Sequence, residues 1–298
     1  MALAPILLFT FKRLDTLKQT VEALKLNTLS DESELYIFSD AARNIQEEDE
    51  VFKVRQYLTT IDGFKKITIF ESATNKGLAR SIIDGINFIF DNYSSAIILE
   101  DDLLTSKNFL LYLNKSLNFY AENDKVISIA AYTTPLDNPT DDIYFTKRAS
   151  SWGWATWKDR WVQINWDIIE PNFAFTKKQS IEFNKMGSDM TKMLYNYRDA
   201  KIDSWAIRFC YYQYLNNLFT VYPTLSKVKN IGLGKDATNT YEHTNRFDTI
   251  LDISDSSCFS FTHEAKLNSI YLNQFLKQFS VSTRVKYKIL NLINRFFN

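Results

Sequence analysis

Residues 96–102 read Ala96-Ile97-Ile98-Leu99-Glu100-Asp101-Asp102, an apolar run that ends in three consecutive acids. A short apolar run of this kind is typical of a strand buried on both faces of a parallel sheet. The acids would then leave the sheet at the strand's carboxyl end, the edge where open α/β sheets bind ligands. Because crowded carboxylates repel one another unless a cation lies among them, the stretch predicts a divalent metal site and an enzyme that handles a metal-bound phosphate ester.

The residues before this stretch alternate between short apolar runs and segments with helical spacing. We predict strands at 5–10, 35–38 and 66–70. Helices are predicted between them and again from residue 75 to the strand that precedes Glu100. This order predicts right-handed crossovers and an α/β fold, with a mostly parallel, doubly wound central sheet flanked by helices.

Composition limits the function classes. A chain of 298 residues with 45% hydrophobic residues can bury the core of one large domain or of two closely joined ones. The 35 basic and 35 acidic residues balance, which removes the electrostatic argument for a nucleic-acid partner. Two distant cysteines predict neither a zinc site nor a disulfide framework and favour the cytoplasm. The sequence predicts no signal peptide and no transmembrane helix.

Further polar side chains are expected at the same edge of the sheet. Thr10 and Arg13 follow the first predicted strand, Asp40 follows the second, and Asn75 and Arg80 open the third helix. Neither a GxGxxG nor a GxxxxGK[ST] spacing occurs, so phosphate charge would be met by a metal and basic side chains. The alternatives are a turn-forming role for the aspartate and ordinary solvated side chains for the two arginines.

A tryptophan cluster is the second landmark. Trp152, Trp154 and Trp157 surround Gly153 within residues 150–157. Indole rings are too large to pack side by side on one strand, so the run is unusual for a core, and the glycine permits a tight backbone bend. A purely structural role for one or two of the rings stays open.

In this order, these motifs resemble the nucleotide-binding half of GT-A-fold glycosyltransferases. The Glu-Asp-Asp version is similar to N-acetylglucosaminyltransferase I and to bacterial relatives of the family-2 glycosyltransferases. The resemblance covers roughly residues 4–240. It implies a GT-A-like (Rossmann-like) domain over residues 1–245, with a nucleotide-binding half (1–105) and an acceptor half (106–245). Residues 246–298 would form a carboxy-terminal helical extension.

The resemblance also implies roles for the acids. Asp102 would hold Mn²⁺ or Mg²⁺ that bridges the diphosphate of a nucleotide sugar, while Asp101 and Glu100 would contact ribose, sugar or bound water. Asp40 would accept a hydrogen bond from a uracil ring, and Arg80 would contact the diphosphate or ribose. A helix N-terminus decorated with acids is the alternative explanation of the acidic stretch.

Two further elements of the resemblance concern the transfer reaction. Trp152 and Trp154 would shape the pocket for the donor sugar and the acceptor. Asp203-Ser204-Trp205 resembles an Asp-Asp-Trp segment with serine in place of the second acid, which implies that Asp203 is the catalytic base and leaves open whether another position carries it. An inverting transfer needs such a carboxylate to take the proton of the attacking hydroxyl, whereas helix capping is the alternative role.

The rest of the chain adds weaker signals. Residues 230–236 resemble a loop that closes over the donor, and His243 is expected to be a surface residue, with a metal or diphosphate contact as the alternative. Residues 285–297 alternate bases with large apolar side chains. That pattern predicts a helix that lies in a membrane interface, packs against the domain or forms a dimer contact.

The combined prediction is a metal-dependent inverting glycosyltransferase. It would move a hexose or N-acetylhexosamine from a UDP-linked sugar to a hydroxyl of a bacterial surface glycan, such as a lipopolysaccharide or capsule unit, either free or lipid-linked. The enzyme would be cytoplasmic. If the acceptor is lipid-linked, peripheral attachment to the inner face of the plasma membrane would bring enzyme and acceptor together.

Two other functions stay open. A sugar-1-phosphate nucleotidyltransferase would need a glycine-rich basic loop after the first strand, and residues 9–13 contain no glycine. A non-catalytic carbohydrate-binding protein would use the tryptophans as a sugar platform and would bind glycan without a metal.

Overall fold

The computed structural model describes residues 3–167, 172–232 and 246–297, with side chains of the last helix described as far as Ile293. The strands are β1 (Ile6–Thr10), β2 (Glu34–Ser39), β3 (Lys66–Glu71), β4 (Ser95–Glu100), β5 (Leu103–Thr105), β6 (Val126–Ala130), β7 (Ile143–Thr146), β8 (Trp154–Trp157), β9 (Phe219–Pro223) and β10 (Val228–Asn230). The α-helices are α1 (Leu14–Lys25), α2 (Glu48–Leu58), α3 (Leu78–Phe90), α4 (Phe109–Phe119), α5 (Lys158–Trp161), α6 (Lys177–Phe183), α7 (Met190–Arg198), α8 (Trp205–Leu215), α9 (Ser269–Lys277) and α10 (Val281–Phe297).

A central sheet of eight strands organises the fold, in the order β3-β2-β1-β4-β8-β6-β9-β7. Strands β3, β2, β1 and β4 are parallel, as are β6 and β9. Strand β8 is antiparallel to both β4 and β6, and β7 is antiparallel to β9. The predicted α/β class is therefore confirmed as a mixed, mostly parallel sheet, and a small antiparallel pair, β5 and β10, lies beside it.

Helices cover both faces of this sheet because its strands carry apolar side chains on both sides. Helices α1, α2 and α4 pack against one face, whose core includes Leu8, Leu35 and Leu99. Helices α3 and α8 pack against the other face, with Leu7 and Ile98 in its core. This two-sided burial explains why the inner strands appear in the sequence as unbroken apolar runs.

The strand order of the sheet reverses at β1, and the switch point lies between β1 and β4. The chain first adds β2 and β3 on one side of β1 and then returns to place β4 on the other side. Ligands of open α/β sheets bind outside the carboxyl ends of the strands at such a switch point. The residues after Thr10 and Glu100 therefore occupy the position where a ligand is expected.

The described part of the carboxy-terminal segment packs against the central domain. Asp252 forms a buried ion pair with Lys227 and accepts a hydrogen bond from Asn108 at 3.0 Å. In α9, Tyr271 and Phe275 lie in one apolar cluster with residues of β6, β7 and β9. The predicted domain boundary at residue 245 falls outside the described residues and stays a prediction. Among the helices that the structure describes, none is long and apolar enough to cross a membrane.

Candidate active site

Arg13 joins the two aspartates at the switch point. Its Nη2 lies 2.7 Å from Asp101 Oδ1 and 2.8 Å from Asp102 Oδ2. All three side chains are largely buried, with exposed fractions of 18%, 5% and 10%. The loop after β1 and the turn after β4 are thus held together by a charged bridge at the edge where the sequence predicts the site.

Asp101 is fixed by the end of β1. Its Oδ2 accepts hydrogen bonds from Thr10 Oγ1 and from the backbone N–H of Phe11, each at 3.0 Å. With Arg13 on the other oxygen, both oxygens of this carboxylate already have protein donors. Asp101 therefore positions the arginine and the strand end, and the ribose, sugar or water contact predicted for it stays a prediction.

The cluster carries more negative than positive charge. Burial, together with the charges of Asp102 and Asp101, raises the pKa of the Glu100 carboxyl well above its ordinary value. Burial also raises the pKa of Asp102, an effect that Arg13 partly offsets. In the described part of the chain, no hydrogen-bond donor reaches the carboxylate of Glu100. One arginine for three acids leaves a site that favours an additional cation or retained protons.

The end of β10 and the two residues after it cover Asp102. The backbone N–H of Ile231 donates to the Asp102 carbonyl at 2.8 Å, and the Asn230 amide nitrogen lies 3.4 Å from Asp102 Oδ1. A Cβ on Gly232 would overlap Asp102 Oδ2 and would lie 2.6 Å from Nη1 of Arg13. Only glycine allows the backbone to approach the carboxylate this closely, so this segment forms one wall of the site.

The donor atoms are compatible with a cation that binds together with a phosphate ligand. Within the described ranges no group of three or more acidic, histidine or cysteine side chains could hold a metal ion, so the protein does not form a complete metal cage there. Among the described residues, Asp102 Oδ1 receives only the long contact from Asn230, so it is an oxygen that could hold Mn²⁺ or Mg²⁺. Magnesium typically binds through one or two carboxylates plus substrate phosphates and water, and this site fits that pattern.

Asp40 ties the end of β2 to the start of α3. Its carboxylate accepts hydrogen bonds from the backbone N–H groups of Ala41, Lys76 and Gly77, at 2.9 Å each, and from the Asn75 amide at 3.1 Å. These donors fill most of its acceptor sites. The predicted hydrogen bond from a uracil ring stays a prediction, and it would share an oxygen with these donors. Asn75 also donates to the Ala41 carbonyl at 2.7 Å, which gives it a positioning role.

Arg80 and Asp203 lie on one polar cleft between α3 and the start of α8. The cleft has a volume of about 250 Å³ and is lined by Arg80, Ile83, Asp84, Asn87, Trp166, Asp167, Asp203 and Arg208. Arg80 is exposed and pairs with Asp84 at 2.9 Å. The structure therefore brings together two residues that the sequence singled out separately.

Asp203 is oriented by an arginine beneath it. Arg208 Nη2 donates to Asp203 Oδ1 at 3.1 Å, and the same guanidinium donates to the carbonyl groups of Ser204 and Trp166. Ser204 caps α8 by accepting from the N–H of Ile207, so Asp203 is free of the capping role. Its Oδ2 has no donor within the described part of the chain and faces solvent.

The tryptophan cluster divides between the two faces of the sheet. Gly153 has a φ of +57°, a left-handed conformation that favours glycine and that turns the chain between Trp152 and Trp154. Trp154 is 1% exposed and stacks on Trp205 at 4.7 Å. It cannot line an open pocket, and its predicted pocket role is corrected to a core role. Trp152 is half-buried against Tyr132, with ring centroids 4.9 Å apart, and its pocket role stays a prediction.

Two residues of the site were missed by the sequence reasoning. Arg208 follows Asp203 by five positions inside an aromatic helix, where no local pattern marks it as a partner. Gly232 was noticed only as part of a loop, and its tight contact with Asp102 depends on the pairing of β10 with β5. His243 lies outside the described residues.

The chain is similar to solved glycosyltransferase structures at low identity. No family model and no curated protein matches the chain. A mannosyltransferase, PcManGT from Pyrobaculum calidifontis, solved with GDP-Man and Mn²⁺, is similar over 53% of this chain and 45% of its own, at 10% identity and a TM-score of 0.34. TarS of S. aureus is similar over 46% of this chain and 22% of its own, at 13% identity and a TM-score of 0.30. The chain thus spans less than half the length of either protein, and likeness of this degree assigns it no function.

Proposed function

We propose that the chain is a nucleotide-sugar-dependent, inverting glycosyltransferase that works with Mn²⁺ or Mg²⁺. The donor would be a UDP-linked hexose or N-acetylhexosamine. The acceptor would be a hydroxyl of a bacterial surface glycan, such as a lipopolysaccharide or capsule unit. Donor class, metal, acceptor and stereochemistry are all parts of this proposal.

The charged bridge at the switch point is the observation that carries the proposal. Arg13, Asp101 and Asp102 lie between the carboxyl ends of β1 and β4, where an open α/β sheet binds its ligand. A site with both a guanidinium and an incompletely compensated carboxylate can bind a diphosphate directly and through a cation. A neutral sugar alone would not require either charge, which favours a nucleotide sugar over a free glycan as the ligand.

The bound cation would supply positive charge at the departing nucleoside diphosphate, an effect worth several kcal/mol of transition-state stabilisation. Asp102 Oδ1, beside Asn230, would hold it. Arg13 would add a fixed positive charge on the side of the sugar where the diphosphate departs. The Gly232 backbone would help to exclude water from this side, because it approaches Asp102 closely.

Asp203 would act on the acceptor. Its solvent-facing Oδ2 would take the proton of the attacking hydroxyl while that oxygen bonds to the anomeric carbon and the bond to the diphosphate oxygen breaks. Arg208 would hold the carboxylate in place through Oδ1, at 3.1 Å. A single displacement of this kind inverts the configuration at the anomeric carbon. Arg80, on the same cleft, would contact the diphosphate or ribose.

A cytoplasmic location is part of the proposal. Cys210 and Cys258 are both free thiols, one buried and one exposed. Free thiols persist in reducing compartments, which supports this location.

A donor screen tests the proposal. The protein is incubated with Mn²⁺ and each common nucleotide sugar, and slow hydrolysis to free nucleotide is followed by chromatography. We expect one UDP-sugar to be hydrolysed faster than the others and EDTA to abolish the reaction. Titration calorimetry with UDP, with and without Mn²⁺, measures binding independently of turnover.

The two other functions give different results in the same assays. A nucleotidyltransferase would release pyrophosphate from a nucleoside triphosphate and a sugar-1-phosphate. A carbohydrate-binding protein would bind glycan without metal and show no affinity for UDP. Either result would overturn the proposal.

A further inference from the structure

The last helix presents its most apolar side to solvent. Five large apolar residues of α10 have exposed fractions between 44% and 63%, namely Val281, Val285, Ile289, Leu292 and Ile293. Helices that pack onto a domain normally bury such residues. Helix α10 therefore turns towards solvent the side that an amphipathic helix usually packs against its domain.

These side chains form one continuous stripe. The spacing of 281, 285, 289, 292 and 293 follows the helical repeat, so all five lie on one side of α10. The half-buried residues 283, 284, 287, 290 and 291 lie on other sides of the helix. Arg284 Nη1 donates to Ser188 Oγ at 3.0 Å and fixes the first turns to the domain. The outward position of the stripe thus follows from how the helix is attached.

Basic side chains border the stripe. Lys286 and Lys288 are both exposed, and at about 100° per residue they flank it on opposite sides. The segment 281–297 contains Arg284, Lys286, Lys288 and Arg295 and no acidic residue. Lysines in this position can extend to the phosphate groups of lipid headgroups while the stripe enters the apolar part of the bilayer.

We propose that α10 binds the surface of an anionic membrane, with its axis in the plane of the interface. The charge pattern favours an anionic membrane over a second copy of the chain as the binding partner. Two copies of α10 packed through the stripe would bring the lysines of one helix close to those of the other. The apolar stripe and the basic border supply the two signals that stable peripheral attachment requires. The inference goes beyond the proposed function and does not depend on it.

Vesicle sedimentation of the full chain tests this inference. The probes are vesicles of phosphatidylcholine alone and of an equimolar mixture with phosphatidylglycerol. We expect binding to the mixed vesicles, weaker binding at high salt, and little binding to phosphatidylcholine alone. The double variant Lys286→Gln with Lys288→Gln should have a partition coefficient onto the mixed vesicles that is lower by about tenfold or more.

Matched variants separate the apolar stripe from general surface hydrophobicity. Ile289→Asp with Leu292→Asp should abolish binding, whereas Ile253→Asp, at an apolar residue that is 90% exposed elsewhere, should leave it unchanged. Circular dichroism and thermal unfolding of each variant check that the fold is retained.

Two kinds of result would overturn the inference. In the vesicle assay, these are equal affinity for both kinds of vesicle and no affinity for either. The other kind is a dimer in light scattering that dissociates on Ile289→Asp with Leu292→Asp. Both readouts are independent of nucleotide binding, so a failed donor screen would leave this result intact.

Discussion

Arg13 and Asp102 come together at 2.8 Å across the switch point of the sheet, although they are separated by 89 positions in sequence. Because the same guanidinium also binds Asp101, the acids predicted to require a metal already have one protein cation. The charges of Asp101 and Asp102 outweigh burial and raise the pKa of Arg13 above its ordinary value, so it stays protonated. The site is therefore organised before any ligand binds.

Arg13→Gln should destabilise the protein by about 3 kcal/mol, because it removes the positive charge that compensates two largely buried carboxylates. Urea unfolding measures the loss. Mn²⁺ should restore part of the stability, since a divalent cation can replace the guanidinium charge. Lys53→Gln, which removes a solvated ion pair with Asp49, is the control and should have no measurable effect. A variant as stable as the wild type would show that the bridge contributes nothing to stability.

Asp102→Asn should remove the metal-dependent part of UDP binding. The amide has the shape of the carboxylate but lacks the charge that attracts the cation. Calorimetry with and without Mn²⁺ measures the effect, and we expect the metal to change the affinity of the variant by less than about twofold, which is within roughly 0.4 kcal/mol. Asp49→Asn, at an exposed acid of α2, serves as the control. Unchanged metal dependence in Asp102→Asn would exclude Asp102 as the metal ligand.

Asp203→Asn should keep UDP binding and lose transfer. General-base catalysis typically contributes about a hundredfold or more to the rate, so transfer should fall by at least that factor. Asp167→Asn removes another carboxylate from the same cleft and should retain activity. The reverse result, with Asp167→Asn inactive and Asp203→Asn active, would move the base to Asp167.

Gly232→Ala should weaken UDP binding by about tenfold or more, because the added methyl group displaces Asp102 or Arg13 from a close contact. Ile231→Ala, at the preceding position, adds no atoms next to the carboxylate and is the matched control. Binding is measured by calorimetry, and thermal unfolding reports whether the fold is retained. Normal affinity in Gly232→Ala would mean that the segment after β10 does not form a wall of the binding site.

The first half of the fold could be predicted because its signals are local. Strands β1, β2 and β4 are buried on both faces and therefore appear as short apolar runs. The insertion of β8 between β4 and β6 could not be predicted, since both partners are distant in sequence and no local pattern encodes antiparallel pairing.

The same difference between local and distant signals applies to the site. The position of the acids at the end of β4 was predictable from the chain, but their pairing with Arg13 depends on the alignment of β1 with β4. Trp154 was misassigned for a related reason. The resemblance implied a place in the sugar pocket, whereas pairing of β8 on both sides places the ring inside the core, next to Trp161 and Trp205.

Asp252→Asn tests the attachment of the carboxy-terminal segment. The buried Asp252 forms an ion pair with Lys227, and removing one partner of a buried pair costs about 3–5 kcal/mol. Burial would raise the pKa of Asp252, but the hydrogen bonds from Lys227, Asn108 and Ser254 lower it to about 2. We therefore expect a large loss of stability in urea at neutral pH.

The pH dependence of this loss has a definite sign. A carboxyl whose pKa is lower in the folded state contributes stability above its unfolded pKa, and this contribution disappears as the pH falls through the folded value. The difference in unfolding free energy between the wild type and Asp252→Asn should therefore be constant above about pH 5 and shrink from about pH 4 towards pH 2. Asp255→Asn, at an exposed acid that pairs with Lys107, should show no such change. A difference that stayed constant down to pH 2 would mean that the Asp252 carboxylate is not stabilised by Lys227 in the folded protein.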